Sequence, residues 1–99
     1  MLYMVYLEDV ADNMSIRKPL LDAHMAHMAT HAQAIKLGGP IIRDDGSAPA
    51  GGVLVIEAGS RQAVLDIISN DPYFRAGLWP VVRIHAFRDL INTWKLATR

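Results

Sequence analysis

The chain has 99 residues, 52% of them hydrophobic, with ten acidic and ten basic side chains in balance and no cysteine. That length fits one domain, the missing cysteines exclude a disulfide framework and a thiolate metal site, and the interspersed charges offer no basic surface for nucleic acid. No apolar run approaches the roughly 20 residues of a membrane span, and Met1 to Tyr6 lacks the charged region and cleavage site of a signal peptide, so a soluble cytoplasmic chain is expected, with neither nucleic acid nor membrane as a partner.

Taken in chain order, Leu2 to Leu7 is an apolar run with two tyrosines, too short for a helix, and reads as a strand covered on both faces. Glu8 to Ser15 reads as a loop, with Ser15 as half of a capping box that has Lys18 in the acidic position. With Pro19 placed in the first turn, where proline is tolerated, a helix is expected from about Arg17 to Lys36, stopped by Gly38-Gly39-Pro40. Ile41-Ile42 begins a second strand. Residues 43–52 carry Asp-Asp-Gly, Pro49 and Gly51-Gly52 and read as a hairpin-like loop. Val53 to Glu57 is a third strand, again apolar on both faces. Ser60 caps a second helix with Ala63, Val64, Ile67 and Ile68 inside, which ends before Pro72 because proline disfavours helix at the residue preceding it. Phe74 to Leu78 forms a short turn and Val81 to Phe87 a fourth strand. Asp89 to Arg99 is an amphipathic extension carrying Leu90, Ile91, Trp94 and Leu96.

The order β-α-β-β-α-β is the ferredoxin-like arrangement of the α+β class, with residues 1–88 as the domain and 89–99 as its extension. Two helices cover one face of a four-stranded sheet, yet the first and third strands are apolar on both. The uncovered face calls for a partner's sheet, which predicts a homodimer whose two sheets pack into a barrel. The tail is expected to fold over a partner subunit and to extend dimers into a larger ring.

Three of the four histidines fall between Asp22 and His31. On a helix, with Leu20 as zero, His24, His27 and His31 lie at about +40°, −20° and +20°, on one margin of an apolar stripe formed by Leu20, Leu21, Met25, Met28, Ala32 and Ile35. Imidazoles there can reach a cleft and titrate near neutrality. As metal ligands they are poorly spaced: together they span about 10 Å of helix axis, against Zn–N distances of about 2.0–2.1 Å. A site on His24 and His27 would need an acid from elsewhere, and no metal is expected. No nucleophile elbow, phosphate loop or dinucleotide fingerprint is present, so no cofactor is expected either.

Met1-Leu2-Tyr3 leading a strand, Asp9 and Asp12 with Arg17 after them, Ala23-His24 in the first helix, Gly39-Pro40, and Asp71-Pro72-Tyr73 with Ala76-Gly77 before the last strand resemble the YCII-related proteins over about residues 1–88. The resemblance implies a dimeric α+β barrel similar to muconolactone isomerases, with a His-Asp pair in a cleft that falls on His24 and Asp71. One branch of that family eliminates HCl from a chlorinated hydroxyquinol. Where relatives carry Arg-Pro before the helix histidine, this chain has Leu21-Asp22; His27, His31 and the tail are additions.

A carboxylate beside an imidazole fixes its tautomer and holds the ring, so the free nitrogen can take or give a proton near neutral pH. The expected function is a small-molecule enzyme, a cofactor-free lyase or isomerase. His24 acts as its base, Asp71 orients it, and His27 or Tyr73 stabilises developing charge. Arg17, Tyr6 and His31 are candidates for holding the substrate, although tyrosines of this kind also pack in cores and Arg17 suits a solvated first turn. Arg83 and His85 read as interface residues. The competing expectation is a non-catalytic dimeric module that binds a small metabolite or a partner domain.

Overall fold

Leu2–Glu8 forms β1, Met14–Thr30 α1, Ile35–Ile42 β2, Pro49–Glu57 β3, Arg61–Ser69 α2, Pro72–Arg75 the single-turn α3 and Val81–Phe87 β4 in a computed structural model that describes residues 1–94. The strands make one antiparallel sheet in the order β2-β3-β1-β4, the ferredoxin-like α+β arrangement that the element order predicts. Among the described residues no helix is long and apolar enough to cross a membrane.

Strand pairing sorts the side chains into two faces, because successive residues point to opposite sides. Val5 lies between Leu54 and Ile84, and all three are buried. Tyr3, Leu7 and Ile56 share that inner face, and Val64 and Ile68 of α2 with Leu20 and Met28 of α1 join them in one core. Leu2, Met4, Tyr6, Val53 and Val55 alternate onto the outer face, where they are half-buried or exposed.

The second helix is capped as expected, its Ser60 hydroxyl accepting from the Ala63 N–H at 3.1 Å. The first helix differs from expectation at both ends. The Asn13 carbonyl accepts the N–H groups of Ile16 and Arg17 at 3.0 and 2.9 Å, which starts the helix ahead of Pro19 and leaves the proline inside it. At the other end the His31 carbonyl accepts from Ala34 and Ile35, both at 3.0 Å. The tight turn this closes releases Ile35 to pair with Ile56. Gly38-Gly39-Pro40 is therefore strand rather than helix stop. A proline without its N–H is tolerated because β2 lies at the sheet edge. A Cβ on Gly38 would meet Leu54 Cδ2 at 2.6 Å, so glycine makes room for Leu54 there. β3 begins at Pro49, which shortens the hairpin loop to residues 43–48. In the extension, residues 88–92 have no regular structure, Leu90 and Ile91 are almost wholly exposed, and Leu96 lies outside the described residues.

Candidate active site

The histidines of α1 sit at the middle of its packed face, not at the margin. Ile16, Arg17, Leu20, His24, His27 and Met28 are the half-buried positions, whereas Leu21 and Met25, which pull the apolar stripe round in sequence, are 50% and 56% exposed. Met25 is left on the wall of a cavity of about 310 Å³ between α1 and the sheet. Its walls are mostly apolar (Leu7, Met28, Ile35, Leu54), its floor is the glycine-rich backbone of β2 and β3, and Arg17, His24 and Trp79 also line it.

His24 is the best-defined group there. Its Nδ1 lies 2.8 Å from Asp71 Oδ2, with the imidazole side chain 17% exposed and the carboxylate 0%. A carboxylate can only accept, so Nδ1 carries the proton and a neutral ring has an open lone pair on Nε2. Nε2 makes no hydrogen bond among the described residues. Asp71 is held in turn by its place as N-cap of α3, where Oδ1 accepts from the Tyr73 N–H at 2.9 Å and Pro72 occupies the first helical position. The Tyr73 ring stacks on the imidazole, centroids 4.1 Å apart and planes 14° apart, and Trp79 meets both rings edge-on at 6.2 and 5.8 Å. The Tyr73 hydroxyl donates to the Arg17 carbonyl at 3.1 Å. Burial pushes that phenol above its ordinary pKa, the Arg17 cation opposes the rise, and the Asp71 and Asp9 carboxylates add to it. Tyr73 thus keeps its proton at neutral pH and serves as a platform for His24.

Arg17 reaches the cavity as well, its guanidinium carbon 5.3 Å from the centre of the Tyr73 ring. Its Nε and one terminal nitrogen form a bidentate pair with Asp9 at 2.7 and 3.0 Å, and that terminal nitrogen also donates to the Gly51 carbonyl at 3.0 Å.

Of the sequence candidates, Arg17 and His24 line this cavity and Asp71 and Tyr73 touch His24, while the other three are held elsewhere. Tyr6 has the opposite parity to Leu7 on β1 and lies on the outer sheet face, its hydroxyl donating to Glu8 at 2.9 Å. That bond is the main cause holding its pKa above the ordinary phenol value. His27 donates from Nε2 to the Ile67 carbonyl at 2.7 Å, which ties α1 to α2. His31 caps α1 and meets the His27 ring edge-on at 4.8 Å. Among the described residues no group of three His, Cys, Asp or Glu side chains can hold a metal ion. Asp9, Asn13 and Trp79 were absent from the sequence candidates. Trp79 meets Asp9 where the end of β1 adjoins the start of its neighbour β4, 70 residues on, and no local pattern signals that meeting.

A model of the YCII-related domain matches residues 1–88, while comparison with curated proteins gives no match. The structure is similar to 5-chloro-2-hydroxyhydroquinone dehydrochlorinase of Burkholderia phenoliruptrix AC1100, solved in complex with 2,5-dihydroxybenzoquinone, at a TM-score of 0.80 and 27% identity, covering 89% of this chain and 94% of that one. Rv0793 of Mycobacterium tuberculosis, 20% identical, shares the fold at a TM-score of 0.51 over 92% of this chain and 97% of its own.

Proposed function

The chain belongs to the YCII-related family, and from that premise we propose that it is a small-molecule enzyme working by general acid–base catalysis, most concretely the elimination of HCl from a chlorinated hydroxyquinol. The observation that carries the proposal is His24: its Nδ1 is fixed on a fully buried carboxylate, its Nε2 makes no hydrogen bond among the described residues, and the residue lines a mostly apolar cavity. The similarity to a dehydrochlorinase that binds a dihydroxylated quinone supports the substrate class.

In this reading His24 Nε2 takes a hydroxyl proton from the ring. The oxyanion pushes electrons into the ring, and the imidazolium returns the proton to the carbon that bears chlorine, which becomes tetrahedral. A second hydroxyl then gives its proton to Nε2 as the C–Cl bond breaks. Chloride leaves with that bond's electron pair, the ring becomes a hydroxyquinone, and the imidazolium releases its proton to water. The balance is loss of HCl, and the chlorine carries off the electrons, so no external oxidant enters. Asp71 orients the ring and stabilises the imidazolium. Tyr73 holds the imidazole plane by stacking. Arg17 is the candidate donor to the oxyanion. His27, His31 and Tyr6 have no step, because none of them lines the cavity.

The same proposal includes a homodimer. The outer sheet face carries Leu2, Met4, Val53 and Val55 beside the exposed apolar residues of the extension, and a second copy's sheet covers such a face with least desolvation of polar groups.

The test is incubation with chlorinated hydroxyquinols and with chlorine-free muconolactone-type acids, with detection of products. Stoichiometric chloride and quinone from the first group supports the reading. Binding of a hydroxyquinol without turnover supports the non-catalytic module instead.

A further inference from the structure

Four glycines floor the cavity: Gly38 and Gly39 on the edge strand β2, and Gly51 and Gly52 on β3, which has a neighbour on each side. Glycine inside a strand brings no side chain to pack and weakens it, so in β3 it calls for a reason. Gly51 has one in the fold, because a Cβ there would collide with the Leu7 carbonyl oxygen, which is backbone. Gly38 has one too, since its Cβ would meet Leu54 Cδ2 at 2.6 Å. Gly39 does not shape the cavity. It pairs with Val53, so a side chain there would stand on the outer sheet face.

Gly52 has no such reason. The glycines with positive φ are Gly46 and Gly77, so the Gly52 backbone is one that other residues adopt. The three atoms nearest to a Cβ on Gly52 would be Leu7 Cδ1 at 3.4 Å, the Gly39 carbonyl oxygen at 3.7 Å and Leu7 Cβ at 4.0 Å, with none from α1 among them. Those are ordinary contacts, and a methyl group fits. Gly52 is paired with Leu7 of β1 and Pro40 of β2, so this row of the inner face lacks its middle side chain. In the next row Leu54 fills the middle, between Val5 and Gly38. Leu7, Pro40 and Leu54 all line the cavity, and the gap lies among them.

What the fold does not require, a ligand can: glycine in a strand also marks a place where another group approaches the backbone closely. Chemistry borders the gap on two sides. His24 lines the cavity from α1, across from the sheet, and an Arg17 terminal nitrogen donates to the carbonyl of the adjoining Gly51 at 3.0 Å. We infer that Gly52 is a ligand-contact residue that sets the depth of the cavity: a planar ring lies with one face on the bare β3 backbone there, across from His24 and with an edge towards Arg17. A side chain at this position would lift the ring off the floor. This deepens the reading of the cavity as a ring-binding site and rests on it, and the experiment separates the two.

Gly52→Ala is compared with Gly59→Ala, which alters a glycine outside the cavity whose Cβ would meet nothing within 4 Å. In ligand-free protein, Gly52→Ala is expected to melt at or above the wild-type temperature, because alanine in a backbone conformation it can adopt narrows the unfolded ensemble. Binding of 2,5-dihydroxybenzoquinone is then titrated. Gly52→Ala is expected to raise its Kd at least tenfold and Gly59→Ala to leave it within twofold. A Gly52→Ala protein that fails to fold, or melts well below wild type, shows that the glycine serves the strand and overturns the inference. A stable Gly52→Ala protein with the wild-type Kd overturns it as well. A wild type that does not bind the quinone rejects the ring-binding reading, and xenon, which enters apolar cavities whatever their ring chemistry, then decides the floor alone by NMR. Xenon-induced shifts of the Leu7 methyl signals in wild type, reduced at least threefold in Gly52→Ala, keep Gly52 as the residue that sets the depth. Shifts equal in the two proteins, or absent from both, overturn it.

Discussion

The His24 Nδ1 and Asp71 Oδ2 atoms lie 2.8 Å apart although the residues are 47 positions apart in sequence, and Asp71 is wholly buried where they meet. The carboxylate serves two donors at once, the imidazole and the Tyr73 N–H. Asp71→Asn leaves one of them facing an NH₂ group. Denaturant unfolding is expected to show a loss of about 1–3 kcal/mol, the cost of an unsatisfied buried partner. Turnover should fall at least ~100-fold with the wrong tautomer favoured.

Tyr73→Phe keeps the stack on His24 and removes the hydroxyl bond to the Arg17 carbonyl. The expected cost is about 1 kcal/mol, with activity little changed. The alkaline limb differs as well. Burial raises the Tyr73 pKa in the folded chain, so its contribution is fully present below the unfolded value of about 10 and is lost as pH rises through the higher folded value. Wild-type stability should therefore fall more steeply above about pH 10 than that of Tyr73→Phe.

The cavity floor separates two kinds of glycine. A Cβ on Gly51 collides with the Leu7 carbonyl oxygen, which is backbone and cannot swing away, while a Cβ on Gly39 meets nothing within 4 Å. Gly51→Ala is expected to cost more than about 2 kcal/mol and Gly39→Ala to be nearly neutral. Thermal unfolding of the two variants decides this.

Much of this was legible in sequence, for identifiable reasons. Alternation and turn residues carry the strands, so Val81–Phe87 and the Ser60 cap emerge as expected, and the same alternation puts Tyr6 opposite Leu7. The end of α1 was not legible, because Ile35 and Leu37 suit a helical stripe as well as an edge strand, and pairing with β3 decides between them. The position of the histidines was misplaced for a related reason: Leu21 and Met25 are apolar but unpacked, so periodicity shifts the centre of the face towards them. The cluster around Asp9 depends on contacts 36 and 70 residues apart, from Asn13 to Pro49 and from Trp79 to Asp9, which no local pattern encodes.

Assembly is measurable directly. A chain whose outer sheet face carries Leu2, Met4, Val53 and Val55 is expected to give a dimer mass by light scattering at micromolar concentration. Met4→Lys, which places a charge at the middle of that face, should shift it towards monomer without disturbing the inner core.

The central claim, that His24 and not its helical neighbours moves the proton, is tested most directly by chloride release from a chlorinated hydroxyquinol at saturating concentration by wild type, His24→Gln and His27→Gln. His27 holds the Ile67 carbonyl at 2.7 Å and stays out of the cavity wall, whereas His24 lines it. The account predicts a loss of at least ~100-fold in kcat for His24→Gln, the usual share of a general base, and a rate within about threefold of wild type for His27→Gln. A His24→Gln protein that releases chloride at the wild-type rate contradicts it.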